Sequence, residues 1–285
     1  MQSVLSNHPS FGSPPETHFF RSLARLEPER LASLGVGLSF VLTSTDEDHW
    51  TGALWAAIRR SLLAANPGST RVLEKTPGHI EDVERIRRLV PAARFLLVTR
   101  NPIDTVTSLL DAAHGWGSAW APQHVETAAS VWRRAAQRIL HHRDDADCLV
   151  VRYEDLIDSD AAWRPLLSFV GVPHDWDLPE LGAPPVVRGS IPDAEAEARF
   201  HQILANRTGF SFHDRDPASR YRLSNFERHY VEATCGDLAG RLGYDSPSGS
   251  LGFLDRVRVQ QRRARRHTGR VLLTARGPRK KRTTP

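Results

Sequence analysis

Three short apolar runs, at 71–74 (RVLE), 94–99 (RFLLVT) and 148–153 (CLVVRY), alternate with stretches whose apolar residues recur every three or four positions. Val- and Leu-rich runs bounded by Pro, Asn and Asp are the pattern of parallel strands covered on both faces. Between 79 and 90, Ile80, Val83, Ile86, Leu89 and Val90 share one helical face, and Pro91 ends it. A helix is predicted over 102–113, with Pro102 at its first position and Asn101 as N-cap. The same periodicity predicts helices over 46–65, 123–142, 159–170 (capped by Ser159) and 224–242, the last stopping at Gly243. Residues 173–220, rich in Pro, Gly and charge, read as an irregular surface segment. Strands alternating with helices predict an α/β fold built on a parallel sheet.

In such sheets ligands bind beyond the carboxyl ends of the strands. Three positions qualify: 74–77 (EKTP), Arg100, and 153–155 (YED). Composition changes this picture in two ways. The chain of 285 residues carries a formal charge of +5, but residues 250–285 hold twelve Lys/Arg against one acid, so the rest is net acidic. The high isoelectric point therefore belongs to a basic tail, 250–285, and the folded domain is expected over 1–249. Arg outnumbers Lys about tenfold, and Lys75 is the only Lys before the tail. No apolar run approaches the ~18 residues of a membrane span, and the amino terminus has no secretory pattern. Two cysteines, Cys148 and Cys235, have no metal-like spacing and form no disulfide framework. A reduced, soluble, cytoplasmic protein is the expectation.

The segment 99–108 (TRNPIDTVTS) carries the first chemistry. A strand delivers Arg100 to the sheet edge, a helix starts at Pro102, and Ser108 follows two turns along it. Guanidinium, helix amides and hydroxyl can together grip a phosphate. The plainer alternative is that Arg-Asn-Pro merely makes a helix entry.

These residues resemble the sulfotransferases that use 3′-phosphoadenosine-5′-phosphosulfate (PAPS), whose 3′-phosphate motif is an Arg at a strand end with a Ser eight residues on. NHPSFGSPPETHFF, LEKTPGHI, VPAARFLLVTRNPIDTVTS, VVRYEDLIDSDAAWRPLLSFVGVP and ASRYRLSNFERHYVEATCGDLAGRLGYD follow in family order, over roughly residues 1–245. The resemblance is closest to bacterial and tyrosylprotein-type members. It implies a P-loop-NTPase-like parallel sheet flanked by helices. It also implies sulfuryl transfer from PAPS to a hydroxyl or amine, with release of 3′-phosphoadenosine-5′-phosphate (PAP). Arg100 and Ser108 would then hold the 3′-phosphate, and Lys75 would be the cation at the transferring group. Either Glu16 or Glu74 would be the base, with Glu16 favoured because PPETHFF matches better. His18 and His79 lie beside these two and stay open as bases. Tyr153 would contact adenine; its alternative is to close the strand and pack beneath the next helix. Arg220, and less closely Arg188, would bring a further cation to the cofactor phosphates.

Family members open with a strand and a loop of the type G-x-x-R-S-G-T-T that holds the 5′-phosphosulfate. Here residues 1–9 read as the helix that follows that loop, so the chain is expected to be N-terminally truncated or mis-started. The chemistry requires no metal. The acceptor, whether sugar, peptide, lipid or small metabolite, is not named by the sequence; residues 110–125, with two Trp and two Gly, are expected to shape its pocket. Three rivals remain. One is a truncated, non-catalytic relative that binds PAP, or a partner through its tail. A nucleotide kinase is disfavoured by the lack of a phosphate-binding Lys loop. A nucleic-acid binder acting through the tail is the third, although RRARRH lacks the interleaved aromatics of specific recognition. The tail is otherwise suited to electrostatic contact with anionic surfaces.

Overall fold

The computed structural model describes residues 1–14, 16–23, 47–115, 117–179 and 221–245. The chain divides into two units, one of residues 1–100 and 137–219, the other of 101–136 and 220–285.

The first unit holds the strands. Its elements are α1 (Gln2–Leu5), β1 (Phe11–Gly12), α2 (Phe19–Leu23), α3 (Glu47–Ala64), β2 (Arg71–Val72), a 3-10 turn (Pro77–Glu81), α4 (Val83–Leu89) and β3 (Phe95–Thr99). After residue 136 come the end of α6 (Val125–His142), β4 (Cys148–Arg152), α7 (Tyr153–Asp158), a 3-10 turn (Asp160–Ala162) and α8 (Trp163–Val170). β1 pairs with β2 and β3 with β4, both in parallel, with Phe11 opposite Arg71 and Phe95 opposite Cys148. The expected α/β class with parallel strands is what the structure has. The strands are shorter than the apolar runs predicted, and β1 was not predicted at all. Nor is every strand position covered: Leu97 and Thr99 are buried, but Val98 between them is exposed.

The core explains the order. Val4, Leu5, Phe11, Val151, Leu156, Trp163, Leu166, Leu167 and Val172 form one cluster, which packs α1, α7 and α8 against β1 and β4. Phe20, Trp55 and Ile86 form a second, bringing α2, α3 and α4 onto Val72 and Phe95. The predicted helix over 79–90 is two pieces, because Asp82 leaves helical geometry with φ −116° and ψ 12°. Ser159 caps as predicted, its hydroxyl accepting from the Ala161 N–H, but onto the 3-10 turn that precedes α8. α8 ends on Gly171 at φ +68°, a left-handed conformation that favours glycine.

The second unit contains α5 (Pro102–Ala113), residues 125–136 of α6, and α9 (Asn225–Arg241). Asn101 caps α5 through a 2.9 Å bond from the Ile103 N–H, as predicted. α9 opens with a capping box between Ser224 and Glu227, and Gly243 follows it at φ +81°. Val106, Leu110, Val231 and Cys235 are wholly buried in this unit. Arg133 on α6 binds Asp237 on α9 through both guanidinium ends and also donates to the Thr234 carbonyl. The basic tail 250–285, Arg188 and Arg220 lie outside the described residues. Of the predicted irregular segment 173–220, the described part, 173–179, has no helix or strand. No described helix is long and apolar enough to cross a membrane.

Candidate active site

Because β1 and β2 run parallel, the segments leaving their carboxyl ends travel side by side. Leu73 N–H donates to the Gly12 carbonyl at 2.9 Å, and the Ser13 hydroxyl donates to the Leu73 carbonyl at 3.2 Å. Residues 16–18 are thereby carried against 74–76.

There Glu74 is held from several sides. Its Oε1 accepts from the Thr17 N–H at 3.1 Å, the Thr17 hydroxyl at 2.9 Å and the Thr76 hydroxyl at 2.7 Å. Its Oε2 lies 2.8 Å from His79 Nδ1, and the side chain is only 9% exposed. Burial raises the pKa of this carboxyl, but the bonds from His79, Thr76 and Thr17 outweigh it and bring it below the ordinary value. A carboxyl whose pKa falls on folding stabilises the fold above its unfolded value, about 4.3, and loses that contribution as pH drops through the folded value. Melting of wild type and Glu74→Gln between pH 3 and 7 is therefore expected to differ by a constant amount above about pH 5 and to converge in acid. A difference unchanged in acid would contradict the network.

Glu16 is placed differently. It accepts from the Lys75 ammonium on one oxygen, and its other oxygen is 3.7 Å from His18 Nε2. Glu16 is 19% and Lys75 36% exposed, so both are partly open to solvent. The Met1 amino group is also within electrostatic reach of Lys75; burial, and then that charge, push its pKa down to about 6. His18 has φ +49°, a left-handed conformation uncommon outside glycine. Its N–H donates to the Thr76 hydroxyl at 3.3 Å, and the next N–H, of Phe19, donates to the Thr17 hydroxyl at 3.2 Å.

Arg100 ends β3, and its guanidinium stacks over the ring of Tyr153, the first residue of α7, at 4.9 Å. Tyr153 directly follows β4 and backs the arginine. In the second unit, Ser108 is exposed on α5. The hydroxyls of Thr105 and Thr107 fold back onto helix carbonyls, whereas that of Ser108 has no partner among the described residues.

Sequence reasoning missed one further cluster. Arg87 binds Asp147 through Nε at 2.8 Å, Asp145 at 2.8 Å and Glu84 at 3.1 Å. His142, buried, places its Nδ1 3.0 Å from Asp145. Ligating atoms of Glu84, His141 and His142 lie within 4.8 Å of one another, as do those of Asp145, Asp147 and Cys148. Arg87 already supplies a cation to three of these carboxylates, and the pKa of Cys148 is pushed up to about 11 by burial and by Asp147, which leaves it a poor nucleophile. The partners sit 3 to 60 residues from Arg87, so no local pattern announces them.

The model of the sulfotransferase family matches residues 1–177. The chain belongs to the sulfotransferase family. The matched span takes in Glu16, Glu74, Lys75, Arg100, Ser108 and Tyr153 and leaves out Arg220. Among solved structures the chain is similar to a sulfotransferase domain from the curacin biosynthetic pathway. Identity is 18%, the TM-score is 0.49, and the match covers 86% of this chain and 93% of that one. No curated protein matches the sequence.

Proposed function

We propose that this sulfotransferase-family chain transfers a sulfuryl group from PAPS to a hydroxyl or amine, with residues 1–249 as the transferase and 250–285 as a basic extension. The observation that carries the reading is the contact between Glu16 and Lys75 at the ends of two parallel strands. A carboxylate against an ammonium supplies the two functions an in-line sulfuryl displacement asks of a protein, a proton acceptor and a cation.

PAPS, when bound, supplies the activated sulfuryl group and a 3′-phosphate handle. Glu16 is the base that takes the proton from the acceptor. Lys75 offers positive charge where negative charge develops. Arg100, backed by Tyr153, is suited to a phosphate because its planar guanidinium carries a fork of N–H donors. Ser108 offers a hydroxyl that has no partner among the described residues. Tyr153 is assigned to the adenine and Arg220 to a further phosphate contact on the resemblance alone. Acceptor chemistry (sugar, peptide, lipid or small metabolite) is left to screening.

Calorimetric titration with PAP tests the donor half of this reading. Arg100→Ala is expected to weaken PAP by roughly 30-fold, about 2 kcal/mol, the scale of a hydrogen bond to a charged group. Ser108→Ala should cost less, about 1 kcal/mol. Unchanged affinity in folded Arg100→Ala would remove the phosphate assignment.

A further inference from the structure

We infer that Glu74 and His79 form a positioning clamp that locks the turn carrying Glu16 onto the strand end carrying Lys75. This rests on the reading of Glu16 and Lys75 as the reacting pair.

Three observations lead to it. First, one oxygen of Glu74 collects three donors, two from Thr17 and one from Thr76. Thr17 is the neighbour of Glu16, and Thr76 is the neighbour of Lys75. One carboxylate therefore bridges two segments that lie 57 residues apart in sequence. That oxygen is wholly committed to holding the two segments together.

Second, the turn so held is one the chain resists. His18 has φ +49° without being glycine, a geometry that persists only where the surroundings over-determine it. The N–H groups of Thr17, His18 and Phe19 go in succession to Glu74, Thr76 and Thr17. With Glu74 removed, Thr17 loses both of its anchors, and the turn that aims Glu16 at Lys75 loses its reason to stay left-handed.

Third, His79 is set to hold the other oxygen. Its Nδ1 makes an ion-pair contact of 2.8 Å with Glu74 Oε2, and neither that oxygen nor Nε2, both buried, has a hydrogen-bond partner among the described residues. The ring packs edge-on against Phe20, 5.3 Å between centroids. A buried carboxylate oxygen left with no polar neighbour is costly, and the imidazole nitrogen is the polar neighbour the site gives it. That fixes the rotation of Glu74 and, through it, the position of Thr17. Gly78, next to His79, completes the packing: a Cβ there would meet Arg21 Nη1 of α2 at 2.7 Å.

The chain has three lysines, Lys75 and the tail residues Lys280 and Lys281. Reductive methylation of the full-length protein with 13C-formaldehyde therefore yields few NMR signals, and that of Lys75 reads its contact with Glu16 without donor or acceptor. Glu16→Gln moves this signal and calibrates the loss of the pair. Glu74→Gln and His79→Leu are expected to move it most of the way to the same position, and Thr17→Val in the same direction. His79→Gln, which keeps an N–H donor, should retain the wild-type position. If Glu74→Gln does not fold, the His79 and Thr17 variants carry the test. A residue with a merely structural role would lower the melting temperature and leave the signal in place. The clamp is overturned if the folded His79→Leu and Thr17→Val variants keep the wild-type signal, or if Glu16→Gln fails to move it. Sulfuryl transfer is assayed separately, so the clamp and the base assignment can fail independently of each other.

Discussion

Glu16→Gln is expected to lower turnover by roughly 10²- to 10⁴-fold, the contribution of a positioned general base. Glutamine keeps the shape of the side chain and can still meet Lys75, but it cannot take a proton. PAP affinity should hold, since Glu16 is assigned to the acceptor side of the transfer. The acidic limb of the kcat/KM profile is expected to vanish with the base, because that limb reports its ionisation in the free enzyme. Glu74→Gln should behave otherwise. It loosens the turn that carries Glu16, so turnover drops while the acidic limb remains. The measurement is PAP release from PAPS, with an acceptor found by screening against wild type, across pH. Full activity in Glu16→Gln, together with loss of the acidic limb in Glu74→Gln, would reverse the two assignments.

The largest effect on stability is expected at Trp163. Its side chain is 1% exposed, sits in the cluster that joins α1, α7 and α8 to β1 and β4, and donates from Nε1 to the Leu156 carbonyl at 3.0 Å. Trp163→Ala removes the packed ring and leaves that carbonyl unpaired in the interior, at a cost of about 3–5 kcal/mol. Against a typical total of roughly 5–15 kcal/mol, this takes much of the fold's margin. Trp163→Phe keeps most of the volume and loses the donor, so it should recover the larger part. Urea denaturation followed by circular dichroism reads both. An alanine variant within about 1 kcal/mol of wild type would mean that this cluster does not organise the unit.

Local signals explain what the sequence made legible. α5 was predicted over the residues it occupies because Asn101 and Pro102 mark its start within two positions. α9 likewise carries its own start and stop in Ser224, Glu227 and Gly243. β1 escaped because two residues, Phe11 and Gly12, carry no periodicity, and their strand character comes from pairing with β2 some 60 residues away. The apolar spacing of 79–90 hid a break at Asp82, since a 3-10 turn and a following helix can bury the same side. Arg100 and Lys75 stood out because strand ends are readable. The partners of Glu16 and Glu74 were not, since Thr17 and His79 reach Glu74, and Lys75 reaches Glu16, only once the chain is folded.

The most direct test of the central claim, a PAPS-dependent transferase, is calorimetric titration of the full 285-residue chain with PAP and, in parallel, with adenosine 5′-monophosphate. The two ligands differ only in the 3′-phosphate assigned to Arg100 and Ser108. PAP is predicted to bind at least tenfold more tightly, about 1.4 kcal/mol or more. Equal affinities, or no heat from PAP with protein that is folded by circular dichroism, would contradict the account.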